Sequence, residues 1–301
     1  MNLAFYLFDV DHGQSAVAKL PNGHWCIFDA GSSATVSPTD QIRRIATNGQ
    51  AYAGLAGLLG LPQFRFLKAT ISHLHADHLS DFEKVLNASP AFLRTVDFDE
   101  EYLRDVFSTS ARESWDTIGG FCRRYGSSFG PVTTQPAYGI ASIRELSLPL
   151  ALTRIVGGSA NSRVNNASVV TRIDCHGNSI LICGDMEKEA WEFALTYPLT
   201  AGVWRPHVSD IDVLIAPHHG HASGYSTELL NLAKPSVVLV SVQSRDPHVD
   251  PRYSCDPVRG ITIDGAQFKR ITTREKGSIL IEIQQPAQLF GKGRRVWTFG
   301  A

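Results

Sequence analysis

The 301-residue chain has no apolar run long enough to cross a membrane, so no spanning helix is expected. Nor does a basic segment precede its first apolar stretch. "MNLAFYLFDVDHGQS" meets an acid at Asp9 too early for a secretory leader and reads as a first β-strand. Cysteine is sparse: Cys26, Cys122, Cys175, Cys183 and Cys255 are scattered, odd in number and without a C-x-x-C pair. That pattern argues against a disulfide framework or a thiolate zinc site and fits a reducing cytoplasm. Excess charge is missing too. A net charge of −1 argues against a generally basic, nucleic-acid-coating protein, though not against local basic patches. With no internal repeat, low-complexity tract or evident linker, residues 1–301 read as one domain, and 43% hydrophobic residues are ample for a core.

Strand signals dominate both ends. "LAFYLFDV", "SAVAKL" and "HWCIFDAG" predict a meander with "PNG" as a tight turn; "FLKATISHLH", "SVVTRID", "SILICGD", "DVLIAPHHG", "PSVVLVSV" and "GSILIEIQ" follow, with "CHGN" as a turn. Apolar residues spaced three to four apart predict helices in "PTDQIRRIATNGQAYAGLAGLLG", "LSDFEKVLNAS", "EKEAWEFALTY" and "YSTELLNLAK". The longest is expected over "DEEYLRDVFSTSARESWDTIGGFCRRYG". "GSSFGPVTTQPAYG" reads as a surface loop. Two packed sheets with helices outside satisfy this order.

The chain concentrates chemistry in "SHLHADH". His73 and His75, two apart at a strand end, project to one side, while Asp77 and His78 follow where the chain turns towards a helix. Imidazole and carboxylate together suit Zn2+, Mn2+ or Fe2+, and two such ions sit about 3.5–4 Å apart in two-metal hydrolases. The bland alternative is a solvated histidine-rich loop or core histidines bonded to carbonyls. Two later strands also end in ligands: "SILICGDM" delivers Asp185, and "DVLIAPHHGH" delivers His218 and His219. Asp185 could instead cap the helix that follows it.

Together, "HLHADH", "ICGD" and "HHG" resemble the H-x-H-x-D-H, aspartate and final-histidine marks of the metallo-β-lactamase superfamily. Within it, "FDVDHGQS", "IFDAG", "NNAS", "LICGDM", "APHHG" and "KRITTREKGSILI" are similar, in order, to the hydrolase domain of ComEC-type DNA-uptake proteins. The resemblance implies a four-layer αββα sandwich of the α/β (α+β) class, with two divalent metal ions, Zn2+ or Mn2+, at one rim between the sheets. It implies His73 and His75 at the first metal, Asp77, His78 and His219 at the second, and Asp185 bridging them. Asp29 of "FDAG" would support the ligand loop. Many members carry a further first-metal histidine ahead of the "GD" strand; here "SRVNNASVV" has none, and Asn165, Asn166 and Ser168 are expected to orient substrate instead. Asp11, His12 and Gln14 also depart from the subgroup's D-V-G-Q-G-D-S opening. His12 is expected near the site, and Asp81, where glycine is common, reads as a helix-start variation.

The implied reaction is hydrolysis of a phosphodiester by a hydroxide held between the metals, with DNA as the first substrate class. Asp77 and His218 are the candidate catalytic residues. His218 would contact the scissile phosphate or protonate the leaving group, and His248 reads equally as a phosphate contact at the same rim or as part of an ordinary surface loop. His221 and Ser223 are further rim candidates. His24, His176 and His207 read as surface turn residues. DNA contact would fall to local basic clusters: Arg123–Arg124, Lys269–Arg270, Arg274, Lys276, and Lys292 with Arg294–Arg295, although such pairs are ordinarily solvated faces. The competing reading is a small-molecule esterase on the same metals: a phosphocholine or cyclic-nucleotide phosphodiesterase, or a lactone or thioester hydrolase. A non-hydrolytic protein, an iron redox protein or a metal-stabilised interaction module, is a third; redox relatives favour a glutamate where this chain has His75.

Overall fold

The computed structural model of the chain describes residues 1–47, 64–125, 136–243, 247–286 and 292–300. Its strands are β1 (Leu3–Leu7), β2 (Ala16–Lys19), β3 (Trp25–Phe28), β4 (Phe66–Ile71), β5 (Phe92–Thr95), β6 (Ser142–Leu146), β7 (Val170–Cys175), β8 (Asn178–Ile182), β9 (Val213–Ile215), β10 (Val237–Val240), β11 (Ile261–Ile263), β12 (Ala266–Phe268), β13 (Arg270–Thr272), β14 (Ile279–Ile283) and β15 (Arg295–Phe299). Seven form one sheet in the order β15-β14-β1-β2-β3-β4-β5. Six form a second in the order β13-β10-β9-β8-β7-β6, and β11-β12 is a separate ribbon.

Side-chain alternation sets the layers. Successive residues of a strand face opposite sides. Leu3, Phe5 and Leu7 of β1 therefore meet Ile180 and Ile182 of β8 and Val237 and Leu239 of β10 in one core between the sheets. Leu181 of β8 and Val238 and Val240 of β10 face the other way. They pack with Trp191, Trp204, Leu229 and Leu230 beneath the helices Lys188–Thr196, Pro198–Val208 and Thr227–Ala233. The outer face of the first sheet is covered likewise, with Phe82, Tyr102, Val106, Phe121 and Val164 from helices packed on Val17, Ile27 and Ala69. Three cores between four layers make the expected αββα sandwich, and strands buried on both faces explain why β8, β9 and β10 are almost continuously apolar. Each fully buried large aliphatic or aromatic side chain contributes about 1.5–3 kcal/mol.

Strand direction then gathers one rim. β8, β9, β10 and β13 are mutually parallel, as are β3 and β4. Their carboxyl ends deliver Asp185, His218–His219 and Ser241 from one sheet, and Asp29 and Ser72–His78 from the other.

The expected long helix is two: Glu100–Thr109 and Trp115–Tyr125, with a 3-10 turn at Arg112–Ser114. The chain is extended at Ser110 (ψ 143°) and Ala111 (ψ 145°). At this helix end the Ser108 and Thr109 hydroxyls both donate back to the Asp105 carbonyl, at 2.9 and 2.8 Å, and the Ser110 amide makes the last helical bond, to Val106. The helix begun at "PTDQIRRI" covers Pro38–Ala46, and the rest of that expected helix lies outside the described residues, as does most of "GSSFGPVTTQPAYG". Helices Leu150–Val156, Ala160–Asn166 and Pro198–Val208 were not expected. The last carries Gly202 and Pro206, which obscure its pattern. His207, expected in a surface turn, is buried in that helix and donates from Nε2 to the Val170 carbonyl at 3.2 Å.

Candidate metal centre

The ligand loop is held from behind. Asp29, at a left-handed φ of 57°, accepts from the Ser72 amide at 2.6 Å and from the Ser72 hydroxyl and Gln14 amide at 2.9 Å each. It also faces His78 Nδ1 at 2.9 Å, so His78 presents Nε2 to the site. The supporting contacts expected of Asp29 are therefore present, and Gln14, in an acid's place, joins them. His219 is oriented the same way, with Nδ1 donating to the Ser241 carbonyl at 3.1 Å and Nε2 facing inward.

Close backbone approach makes this possible. A Cβ at Gly184 (φ +55°) would lie 2.8 Å from Ser72 Cβ and 2.9 Å from Ser168 Cβ, so the residue before Asp185 has to be glycine. At Gly13 a Cβ would meet the Asp77 carbonyl at 2.5 Å. His218 and His219 are both left-handed, at φ 48° and 51°. Such conformations cost of order 1–3 kcal/mol and cluster at functional sites.

Asp77, His78, Asp185 and His219 come together, with ligand atoms all within 4.8 Å of one another. His78 Nε2 lies 3.3 Å from Asp185 Oδ1, and His219 Nε2 lies 3.3 Å from Asp77 Oδ2 and 3.5 Å from Asp185 Oδ2. His78 Nε2, His219 Nε2 and Asp185 Oδ1 are buried without a hydrogen-bond partner. Buried polar atoms are normally satisfied, and an inward-facing set of two imidazoles and two carboxylates is what a divalent cation takes up. The residues fit a metal. Burial alone would lower the pKa of His219, but Asp185 and Asp77 override it and raise it to about 10. Burial likewise opposes ionisation of Asp185, yet His219 and His78 hold it well below the usual carboxylate range. A cation has to displace the protons these carboxylates draw onto the imidazoles.

His73 Nε2 lies 3.1 Å from His75 Nδ1 and 3.9 Å from Asp185 Oδ2. His75 also faces Thr109 Oγ1 at 3.3 Å. His12 is near, as expected, with Nε2 3.7 Å from Asp77 Oδ2 and its ring 5.3 Å from that of His219. His218 turns Nδ1 to the Ser223 hydroxyl at 2.7 Å and Nε2 to Asp185 Oδ2 at 4.0 Å. Beside the cluster opens a cavity of about 330 Å³, lined by His12, His75, Asp77, Asp185, His218 and His219 together with Thr109, Ser110, Ser114, Asn161 and Asn165.

Several expectations need correction. Ser168 is fully buried behind the ligands, where its hydroxyl accepts from the Asp185 amide at 3.1 Å and meets His73 Nδ1 at 3.3 Å; it braces the site and is not among the described cavity-lining residues. Asn166 is likewise buried, accepting from the Glu187 amide. Asp81 begins helix Phe82–Asn87, but its carboxylate accepts from the Thr39 amide and Ser37 hydroxyl, pinning helix Pro38–Ala46 instead. His248 is exposed at the rim, 6.0 Å ring to ring from His221, and is not among the described cavity-lining residues. Most basic candidates are engaged elsewhere: Lys269 with Asp256, Arg270 with the Asp250 carbonyl, Lys276 over Phe268 and Phe299, and Lys292 and Arg295 with Asp212. Sequence reading missed Ser72, Glu187, Ser241 and the Thr109–Ser114 wall. Of these, only Ser72, inside the quoted motif, carried a visible signal.

The family model of the metallo-beta-lactamase superfamily matches residues 9–244. The chain belongs to the metallo-β-lactamase superfamily. Members of this superfamily bind divalent metals and are metal-dependent hydrolases, so the chain is an enzyme of that kind with a His/Asp cluster able to hold a metal. No curated protein matches it. Among solved structures, the short form of human tRNase Z is similar at 13% identity over 81% of this chain and 94% of that one, with a TM-score of 0.38. The diiron β-hydroxylase CmlA of Streptomyces venezuelae is similar at 15% identity over 82% of this chain and 46% of that one, with a TM-score of 0.42. A metallo-β-lactamase of Cronobacter sakazakii is similar at 12% identity over 71% and 74%, with a TM-score of 0.37. No helix among the described residues is long and apolar enough to cross a membrane.

Proposed function

We propose that the chain is a phosphodiesterase, one domain over residues 1–301, working with two divalent cations, Zn2+ or Mn2+. The observation that carries the reading is the set of buried, partnerless ligand atoms of His78, Asp185 and His219 beside an open cavity. Asp77, His78 and His219 would hold one cation and His73 and His75 the other, with the Asp185 carboxylate shared between them. When bound, such a pair supplies an activated water and neutralises charge on the phosphoryl oxygens. The chain's own part is positional. Asp29 and Ser241 fix ring orientation, Asp77 stands at the cavity face of the cluster, and His218, its Nδ1 taken by Ser223, offers Nε2 to the leaving group. Five free cysteines support a reducing, cytoplasmic setting.

DNA is the first substrate class, on the ordered resemblance of "FDVDHGQS", "APHHG" and "KRITTREKGSILI" to ComEC-type hydrolase domains. A second reading, a small phosphodiester, is favoured by a cavity whose described lining contains no Lys or Arg and by basic side chains already engaged elsewhere. A panel of single-stranded DNA, duplex DNA, RNA and bis-p-nitrophenyl phosphate with Mn2+ or Zn2+ tests both. A nuclease held by phosphate contacts shows a log–log salt slope of about −0.9 per contact on duplex DNA, whereas a small ester shows a shallow one. No turnover of any diester by metal-loaded protein defeats the reading.

A further inference from the structure

The cavity's lining is of two chemical kinds. The residues of the metal cluster and its neighbours carry all its charged and titratable groups. The rest, as far as the described residues line it, is a wall of Thr109, Ser110, Ala111, Ser114, Asn161 and Asn165, with neither cation nor carboxylate, which adjoins the cluster where Thr109 meets His75. We propose that this uncharged wall binds a neutral, hydroxyl-bearing group, a sugar, attached to the substrate's phosphate. The inference rests on the phosphodiester reading and names the part of the substrate that does not react.

Two elements make the wall. The break after helix Glu100–Thr109 brings Ser110 and Ser114 into the cavity lining, and helix Ala160–Asn166 adds Asn161 and Asn165, four apart on one face. Both contribute a hydrogen-bonding atom with nothing to bond. Asn165 Nδ2 donates to Glu187 Oε1 at 2.9 Å, and because a carboxylate only accepts, this fixes the amide with Oδ1 as its other end. That Oδ1 is buried and unpartnered. Ser110 has its amide on the Val106 carbonyl and its own carbonyl under Trp115 Nε1 at 3.3 Å, while its Oγ is buried without a partner.

The pattern selects by exclusion. A second phosphate or a carboxylate finds no cation on this wall, and it meets the carbonyl end of helix Glu100–Thr109, which repels anions. A quaternary ammonium has no N–H for the waiting acceptors, and no Phe, Tyr or Trp is among the described lining residues to cage it. An apolar group leaves buried acceptors unsatisfied, which costs affinity. A polyol donates to Asn165 Oδ1 and exchanges hydrogen bonds with the hydroxyls of Ser110 and Ser114.

Calorimetry on the metal-loaded protein with ribose 5-phosphate, phenyl phosphate and phosphocholine tests this, since the three share a phosphate and differ in its substituent. Ribose 5-phosphate is expected to bind about tenfold tighter than the other two, the scale of one or two good hydrogen bonds. Ser110→Ala should shrink that margin severalfold, and Asn161→Ala, on the exposed face of its helix, should do so without the folding risk of a buried change. Equal affinities for the three, or a margin that survives both substitutions, overturns the inference. Turnover of bis-p-nitrophenyl phosphate is read separately. Its absence beside a clear sugar preference retires the diester chemistry and keeps the wall; turnover without sugar preference does the reverse.

Discussion

Asp185 and Asp212 are both buried carboxylates at ends of central strands in the second sheet, 4% and 3% exposed, yet they keep different company. Asp212, just before β9 at the rim away from the metal cluster, is covered by fixed positive charge. Lys292 donates to its Oδ1, Arg295 and Arg259 stand 3.5 and 3.7 Å away, and the Ser179 amide donates to Oδ2 at 3.1 Å. Asp185, just after β8, faces His73, His78, His218 and His219 with the Asp77 carboxylate beside them, and its Oδ1 has no hydrogen-bond partner. The protein covers one carboxylate with fixed charge and the other with imidazoles, whose protons a cation can displace. Histidine suits the second arrangement because its proton can leave and its ring nitrogen can then ligate, which Lys and Arg cannot match near neutral pH.

The largest test of that contrast is a pair of substitutions. Asp185→Ala should abolish tight metal binding and cut turnover by about a thousandfold or more, because the bridge serves both cations, while the metal-free protein keeps its stability to within about 1 kcal/mol. Asp212→Ala should do the opposite. Metal content and turnover per folded molecule persist, but unfolding in denaturant shows a loss of about 3–5 kcal/mol, since a partly buried guanidinium loses its counter-charge. Full metal content in Asp185→Ala would remove the contrast.

Chelation probes the cation's part directly. Metal at a thousandfold excess over Kd should stabilise the fold by about 4 kcal/mol, and EDTA should withdraw it, visible as a fall in Tm. A Tm indifferent to both would mean that the cluster is not a metal site.

The fold was legible where pattern follows from burial: β1 to β4 and β7 to β10 alternate or run apolar because sheets packed on both faces demand it. The Asp77–His78–Asp185–His219 cluster was legible because its members sit at ends of those same strands, after GD or before glycine. The cavity's second wall was not. It depends on the chain turning extended at Ser110 and Ala111, inside a stretch whose apolar spacing reads as one continuous helix. Ser168 was misread for a related reason. A polar residue near a site reads as a contact, and only packing shows that it stands behind the ligands.

A smaller effect separates structural from site histidines. His207 is buried against the Val170 carbonyl, and burial pushes its pKa down to about 4. Between about pH 6.5 and pH 4 the unfolded chain therefore binds a proton that the fold refuses. Stability is full above the unfolded value, falls as pH drops towards 4 by roughly 3 kcal/mol, and changes no further from this group below that. His207→Gln should flatten that part of the pH–stability curve, measured on metal-free protein so that ligand protonation does not overlay it. An unchanged slope would show that the group is not held neutral.

The smallest effect lies between two neighbours. His219 is anchored through Nδ1 to the main-chain carbonyl of Ser241, an acceptor that no side-chain substitution removes. His218 is anchored through Nδ1 to the Ser223 hydroxyl at 2.7 Å, with the Glu187 carboxylate farther off at 3.6 Å. A ring on a strained left-handed residue, tied by one exposed hydroxyl, loses orientation when that hydroxyl goes, while the ligand beside it does not. Ser223→Ala should therefore lower kcat about tenfold, within the range of a misplaced proton donor, with metal stoichiometry kept. Ser223→Thr, which retains the hydroxyl, should recover most of the loss. His218→Ala should lose more turnover and still keep its metal, whereas His219→Ala should lose the second cation. If Ser223→Ala sheds metal along with activity, His218 is itself a ligand, and the division of labour between the two adjacent histidines disappears.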